Sequence, residues 1–95
     1  MKNKHPKDVE ELFEAILTIQ NMDECEAFFE DICTVRELAD LAQRLRAAKL
    51  LKNGVSYVEI TKQTGMSTAT ISRVNRCLAY GGGGYKLVID RTENK

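Results

Sequence analysis

The chain of 95 residues has no tryptophan, one proline and only six phenylalanine or tyrosine residues. No row of aromatic residues is present, which excludes the stacking platform typical of proteins that bind single-stranded nucleic acid. All three phenylalanines, Phe13, Phe28 and Phe29, fall in the first third of the chain. A chain this short buries a smaller fraction of its surface than a longer one. We therefore expect a second subunit to help bury these rings.

Cysteine is scarce and wrongly spaced for a structural role. Cys25, Cys33 and Cys77 are odd in number and form no C-x-x-C pair, which argues against a disulfide framework and against a zinc site. Cys25 and Cys77 have apolar sequence neighbours. We predict that both are reduced core residues of a cytoplasmic protein.

The chain also lacks a hydrophobic run long enough to span a membrane, and its polar start, MKNKHPKD, does not read as a signal peptide. We expect a cytoplasmic location and no membrane partner. The single histidine, His5, lies in the polar start, and no triad-like grouping accompanies it. Neighbouring carboxylates such as Glu10 and Glu11 fit a solvated helix face, so an enzyme is not predicted.

Net charge is absent over the whole chain but not over its parts. Fourteen basic residues balance fourteen acidic ones. Residues 1–33 hold three Lys and nine Asp or Glu, a net charge of −6, whereas residues 34–80 hold eight Lys or Arg and three acids, a net charge of +5. A basic half is the electrostatic footprint expected of DNA binding. Two solvated helix faces would also explain the pattern.

What the chain does have is a stretch from Ser56 to Leu78 that predicts a helix-turn-helix. Ser56 and Glu59 form an S-x-x-E capping box at the start of one helix. Gly65 provides a residue that accepts a left-handed backbone at the turn, and Ser67 then caps a second helix. An αα-hairpin in an ordinary helical core is the alternative that apolar spacing alone leaves open.

The second helix has an inner and an outer face. Ile71, Val74 and Leu78 recur at spacings of three and four and predict the inner face. Hydroxyls and arginines on the other face suit a major groove, where they meet base edges and phosphates. Three residues are predicted to read bases: Thr68, Ala69 and Ser72. Four are predicted to contact phosphates: Arg73, Arg76, Lys62 and Arg46. The cap residue Ser67 completes the predicted DNA-binding set.

Three amphipathic helices are predicted before this motif. Apolar residues at helical spacing place the first from Asp8 to Ile19, a second after a box-like start at Asp23 and Glu26, and a third from Val35 to Lys52, capped by Thr34 and Glu37. Basic residues cluster at the end of the third helix. They would lie along the DNA backbone or favour the helix dipole, two explanations of equal weight.

Four consecutive glycines, Gly81–Gly84, predict a hinge or flexible loop after the motif. Tyr85, Lys86 and Leu87 do not provide the lysine and hydroxyl of a phosphate-binding loop. The periodicity of residues 85–91 fits a strand or a helix, and we favour a short helix that docks on the core or on a partner subunit. The prediction is a single all-α domain over residues 1–95, with dimerisation helices at 8–52, the helix-turn-helix at 56–78 and a glycine-rich linker and tail at 79–95.

The stretch from Leu41 to Leu78 resembles the Trp repressor family, and the tail GGGGYKLVIDR is similar to that of its YerC/YecD-like branch. The most specific segments are L-x-x-R-L-R, which holds Arg44, and T-A-T-I-S-R, from Thr68 to Arg73. The resemblance implies an all-α fold of about six helices, an intertwined homodimer made largely by the N-terminal helices, and binding of double-stranded DNA at a two-fold-symmetric operator. Val58 departs from an arginine in the Trp repressor, which implies a different operator.

The resemblance also implies a place for a small co-repressor. The family's tryptophan site uses two arginines, a glycine, a serine and a threonine from the other subunit; Arg44, Arg73 and Thr34 match the arginines and the threonine. Val74 and Cys77 replace the glycine and the serine. Valine takes up room beside the ligand and cysteine is a poor hydrogen-bond partner. The predicted ligand set, Thr34, Arg44, Arg73, Val74 and Cys77, therefore disfavours tryptophan and leaves open a smaller ligand or none.

Two functions follow as hypotheses. The first is a cytoplasmic, homodimeric, sequence-specific DNA-binding transcriptional regulator, in particular a repressor, with no obligatory cofactor. The second is a protein-interaction module in which the acidic helices bind a partner and the helix-turn-helix is vestigial. Selection from a random DNA library separates them, because only the first enriches a sequence.

Overall fold

The computed structural model describes residues 4–93. Residues 1–3 and 94–95, part of the predicted single domain, lie outside the described residues. All regular structure between residues 4 and 93 is helical, which confirms the predicted all-α class of about six helices. The helices are α1 Lys7–Leu17, α2 Met22–Ile32, α3 Val35–Lys52, α4 Tyr57–Thr64, α5 Thr68–Tyr80 and α6 Gly84–Glu93.

The chain forms two compact units, Met1–Val35 and Arg36–Lys95. In the first, α1 begins one residue before the predicted start, after Pro6, whose carbonyl accepts from two amides of the first turn. It ends at Leu17, earlier than the predicted Ile19: the amides of Thr18 and Ile19 donate to carbonyls three residues back, and the Thr18 hydroxyl donates to the Ala15 carbonyl at 2.7 Å.

The start of α2 differs from the prediction at Asp23 and Glu26. Asn21 is the N-cap, and its Oδ1 accepts from the Glu24 amide at 2.9 Å. Glu24 Oε1 in turn accepts from the Gln20 amide at 3.0 Å. This reciprocal pair satisfies two backbone donors, so the helix begins at Met22, two residues earlier than an N-cap at Asp23 would place it.

No residue of α1 or α2 is buried. Phe28 and Phe29 pack edge to face with ring centroids 5.4 Å apart, and Phe13 packs edge to face on His5 at 5.5 Å. Phe13 still has 46% of its surface exposed and Leu17 has 83%. The apolar stripes predicted for these helices thus remain largely open in the single chain.

The hydrophobic core lies in the second unit and joins α3, α4, α5 and α6. Its buried members are aliphatic or sulfur-containing side chains: Ala47, Ala48, Ile60, Met66, Ile71, Val74 and Ile89. The two adjacent alanines on α3 present little side-chain volume, which allows close approach of neighbouring elements. Helix α3 occupies the predicted range without change.

The glycine run is shorter as a linker than predicted. Gly83 has a φ of 87°, a left-handed backbone that favours glycine, and the amide of Leu87 already donates to its carbonyl. Gly84 is therefore the first residue of α6. The predicted short helix that docks on the core is confirmed, because Ile89 is fully buried.

Helix α6 is also tied to the end of α3 by charge. Lys52 Nζ lies 2.6 Å from Asp90 Oδ1 and 3.5 Å from Glu93 Oε1. These bonds raise the pKa of Lys52 and lower the pKa of Asp90, in both cases chiefly through the hydrogen bond between the two side chains. The cation at the end of α3 thus has a structural partner in addition to the helix dipole.

Candidate nucleic-acid interface

The turn between α4 and α5 is built by local hydrogen bonds that the sequence predicts. Ser56 caps α4, with its Oγ 3.2 Å from the Glu59 amide. Gly65 closes α4 in the left-handed region with a φ of 76°. Ser67 caps α5, with its Oγ 3.2 Å from the Thr70 amide. Both predicted caps and the predicted turn glycine are confirmed.

Thr64 adds a bond on each side of the turn. Its Oγ1 donates to the Ile60 carbonyl at 2.7 Å and accepts from the Met66 amide at 3.1 Å. Gln43 Nε2 on α3 donates to the Thr64 carbonyl at 3.2 Å. The turn is therefore fixed both to its own helix and to α3, which defines the direction in which α5 leaves.

Buried aliphatic side chains set which face of α5 points outward. Ile71 and Val74 are 0% and 3% exposed, and they lie in one core cluster with Ile60 of α4 and Met66 of the turn. Because α5 has 3.6 residues per turn, burial of positions 71 and 74 turns positions 69, 72, 73 and 76 away from the core. All four are exposed.

The outer face of α5 carries a shallow surface cavity of about 210 Å³. It is lined by Ala69, Ser72, Arg73 and Arg76. Two guanidinium groups and a hydroxyl offer donors, the small alanine leaves room for a close approach, and no carboxylate lies among the four residues. Such a surface suits phosphate oxygens and the acceptor atoms of base edges.

The structure brings together four of the eight predicted DNA-binding residues in this cavity. Ser67 and Thr68 are exposed at the start of the same helix, whereas Lys62 on α4 and Arg46 on α3 are exposed but do not line it. Within residues 4–93 no ion pair engages Arg73, Arg76, Lys62 or Arg46. The roles of all eight in DNA binding stay predictions.

A second cavity, of about 270 Å³, opens on the inner side of α5. Its lining residues come from α3, α5 and α6: Arg44, Thr70, Arg73, Val74, Cys77 and Tyr85. Four members of the predicted ligand set are thus brought together. The fifth, Thr34, belongs to the first compact unit, and its role stays a prediction.

Thr70 and Tyr85 line this cavity but were not predicted. Thr70 precedes Val74 by four positions and Cys77 by seven, so helical spacing on α5 could have indicated it. Tyr85 lies beyond the glycine run, and no local pattern connects it to α5. Burial raises the pKa of the Tyr85 phenol, the nearby Cys77 raises it further, and the Arg44 guanidinium opposes both.

Cys77 corrects one prediction. It is a free cysteine, as expected, but it is exposed instead of lying in the core, and Cys25, which was also predicted to be a core residue, is only half-buried and lies outside the core. Cys77 lies one position before Leu78, on the side of α5 that faces the inner cavity and an apolar groove formed with the glycine run. Apolar sequence neighbours therefore did not indicate its burial.

A smaller cavity of about 180 Å³ lies between α3 and the turn. Its lining is mostly polar: Asp40, Gln43, Arg44, Met66 and Thr70. Arg44 and Thr70 are shared with the inner cavity.

Among residues 4–93, no cluster of three or more His, Cys, Asp or Glu could hold a metal ion, and no helix has the length and apolarity to cross a membrane.

Comparison with known proteins identifies the same architecture. Residues 7–93 match the family described as Trp repressor protein. The chain is 47% identical over 87 residues to the uncharacterized protein YerC of Bacillus subtilis (strain 168). The aligned region covers 92% of this chain and 84% of the relative.

Two solved structures are similar throughout. A TrpR-like protein from Eubacterium eligens ATCC 27750 shares 49% identity with a TM-score of 0.88, over 93% of this chain and 91% of that one. A Trp repressor homologue from Staphylococcus aureus shares 46% identity with a TM-score of 0.89, over 96% and 91% of the two chains. The predicted resemblance is confirmed at the level of sequence and of fold.

Proposed function

The chain belongs to the Trp repressor family, and on that basis we propose that it is a sequence-specific transcriptional repressor that binds double-stranded DNA as a homodimer. The family is one of DNA-binding regulators, not of enzymes. The observation that carries the proposal is the outer cavity of α5, where Arg73 and Arg76 are exposed beside Ser72 without an acidic neighbour in the lining. A helix-turn-helix that presents this face places it in a major groove.

The residues of the outer face have separate tasks in this proposal. Thr68, Ala69 and Ser72 lie near the start of α5, the end of a recognition helix that meets base edges. Arg76 lies further along α5, and in this proposal it contacts phosphate. Arg73 lines both the outer and the inner cavity, so it belongs partly to each.

Dimer formation is supported by the open apolar stripes of the first unit. Leu17 and Val35 are 83% and 89% exposed, and Phe13 is nearly half exposed. Burying such side chains against a second copy would stabilise both copies by roughly 25 cal/mol per Å² of apolar surface. Two copies related by a two-fold axis would read two half-sites about 34 Å apart.

Control by tryptophan is not part of the proposal. Val74 and Tyr85 both line the inner cavity, and valine at position 74 adds bulk where the Trp repressor has a glycine. We propose that the protein acts in the cytoplasm on DNA without an obligatory co-repressor.

The test is the salt dependence of binding to double-stranded DNA, measured by fluorescence anisotropy with the purified chain and its Arg76→Ala variant. Because each subunit of the homodimer loses one phosphate contact, binding should weaken and the slope of log K against log salt should become less steep by about two. Arg91→Ala is the matched control, because it removes the same charge from an exposed site on α6. An Arg76→Ala slope equal to the native and control slopes would remove the outer face of α5 from the interface.

Failure of the native protein to bind DNA at low salt would favour the alternative function. The first unit, with nine acidic residues before Thr34 and half-exposed Phe13, would then be the surface that binds a protein partner.

A further inference from the structure

The inner cavity of α5 is walled by a residue from a different helix. Tyr85 lies in the first turn of α6 and is the only residue of α6 in the lining, among Arg44 of α3 and four residues of α5. The same side chain packs against the core cluster that contains Val74. The ring therefore stands behind the helix whose outer face carries Ser72 and Arg76.

The position of Tyr85 is fixed by contacts further along α6. Ile89, one turn further along, is fully buried, and Asp90 is hydrogen-bonded to Lys52 of α3. Residues 81–83, which join α5 to α6, are all glycine and transmit little stiffness along the chain. The position of α6 is therefore coupled to that of α5 through side-chain packing. Tyr85 is the aromatic side chain of α6 in this packing.

The inner cavity contains two cations and no carboxylate in its lining. Arg44 and Arg73 contribute their guanidinium groups to the same space of about 270 Å³, where like charges oppose each other. Arg73 also lines the outer cavity, so its side chain borders both spaces. An uncharged group that takes up the inner space, such as an aromatic ring, would favour the outward direction of Arg73, toward DNA.

We propose that Tyr85 is a positioning residue for DNA binding, whose ring supports the inner side of α5 and keeps Arg73 directed to the outer face without a small ligand. The proposal rests on the proposed function. The ring acts by volume, since Tyr85→Phe keeps the wall and Tyr85→Ala removes it. The direction of the pKa shift of the phenol, upward by burial, agrees with a ring that water reaches only in part.

The first experiment needs no DNA. Backbone amide exchange is measured in native protein, Tyr85→Ala, Tyr85→Phe and the control Val88→Ala, which truncates a half-exposed residue of α6 that lines only the neighbouring groove. Tyr85→Ala should speed exchange over residues 70–77 by about tenfold, whereas Tyr85→Phe and Val88→Ala should leave it unchanged. Equal exchange in all four proteins, or the same increase in Val88→Ala, overturns the proposal.

The second experiment replaces the missing ring. p-Cresol, the tyrosine side chain as a free molecule, is added at millimolar concentration to Tyr85→Ala, because a cavity left by an aromatic truncation binds small aromatic compounds. Slow exchange should return in Tyr85→Ala and stay unchanged in native protein. Binding to a double-stranded DNA probe should be about tenfold weaker in Tyr85→Ala and should recover with p-cresol.

The outcomes separate this inference from the proposed function. If native protein binds no DNA, the proposed function is wrong, and the exchange data still show whether Tyr85 supports α5. If native protein binds DNA and Tyr85→Ala binds it with equal affinity, only the proposed role of Tyr85 is wrong. A Tyr85→Phe variant as weak as Tyr85→Ala would assign the effect to the hydroxyl and overturn the ring account.

Discussion

Two threonines of α4 show how burial decides the value of one hydroxyl group. The Oγ1 of Thr61 is buried and has no hydrogen-bond partner among residues 4–93, whereas the Oγ1 of Thr64 donates to one backbone group and accepts from another. A buried hydroxyl without a hydrogen-bond partner destabilises the folded state, whereas a buried hydroxyl that is hydrogen-bonded stabilises it. The same residue type thus has opposite effects three positions apart.

Thr61→Ala should stabilise the protein and Thr64→Ala should destabilise it. Removing the orphaned hydroxyl relieves its desolvation, and alanine also favours the helix, so we expect a gain in unfolding free energy of about 1 kcal/mol. Thr64→Ala loses both bonds at the turn and should cost about 1–2 kcal/mol. Urea denaturation of both variants beside the native protein measures the two differences. A loss of stability in Thr61→Ala would show that its hydroxyl has a partner in solution.

At this scale the sequence predicts caps well and long-range neighbours poorly. Ser56 and Ser67 accept from amides three residues further on, and the amide of Gly65 donates to a carbonyl four residues back, so the local sequence contains the whole signal. Tyr85 reaches the inner cavity only because α6 folds back over the glycine run, which local periodicity does not encode. The exposure of Cys77 is similarly set by where α6 lies and not by its own neighbours.

Among the elements, α6 is held in position by a few identifiable contacts. It starts at a glycine with a left-handed predecessor, buries Ile89 and pairs Asp90 and Glu93 with Lys52. The sequence left helix and strand open for this segment because residues 85–89 fit both periods. Packing of Ile89 on the core, a tertiary contact, decides for the helix.

Gly83→Ala should loosen α6, and Gly82→Ala should not. At Gly83 the φ of 87° strains any residue with a Cβ, at a cost of about 1–2 kcal/mol. At Gly82 the φ is not in that region and nothing lies within 4 Å of a built Cβ, so alanine should be neutral or stabilising by up to about 1 kcal/mol. Thermal unfolding of the pair gives the comparison. Equal melting temperatures would show that α6 does not need the left-handed backbone at residue 83.

The ion pair between α3 and α6 predicts a pH dependence of stability. The pKa of Asp90 is lowered from 3.8, so its contribution is present above that value and is lost as pH falls through the lowered pKa. The pKa of Lys52 is raised from 10.5, so its contribution is present below that value and is lost as pH rises through the raised pKa.

Lys52→Met should therefore lower the melting temperature at neutral pH, and the difference from native protein should shrink in acid once Asp90 is protonated. Lys49→Met is the control, because it removes the same charge from the same turn of α3 and has no ion pair within residues 4–93. A Lys52→Met difference that stays constant from neutral pH to acid would mean that the pair with Asp90 does not hold α6.

The start of α2 shows where element boundaries escape the sequence. Asp23 with Glu26 and Asn21 with Glu24 both have the spacing of a capping box, and the structure uses the second. Asparagine and aspartate are nearly equal as N-caps, so the pattern alone does not choose. The element and its type were predicted correctly, and its first residue was not.

For the whole molecule, charge and burial divide along the same line. Residues 1–33 carry the net negative charge and contain no buried residue among those described, whereas the basic stretch, residues 34–80, contains the helix-turn-helix and every buried core residue except Ile89. A unit that exposes phenylalanine and leucine beside carboxylates suits contact with another protein chain, and a basic unit with an exposed arginine face suits DNA. The proposed homodimer uses both properties at once.

The most direct test of this account is selection from a random double-stranded DNA library by the native protein at low salt, with its mass in solution measured by sedimentation. We predict a two-chain species that enriches a two-fold-symmetric sequence with half-sites about 34 Å apart, and loss of that enrichment when Arg73 and Arg76 are both changed to alanine. A folded protein that enriches no sequence, or that enriches the same sequence after both arginines are removed, would contradict the account.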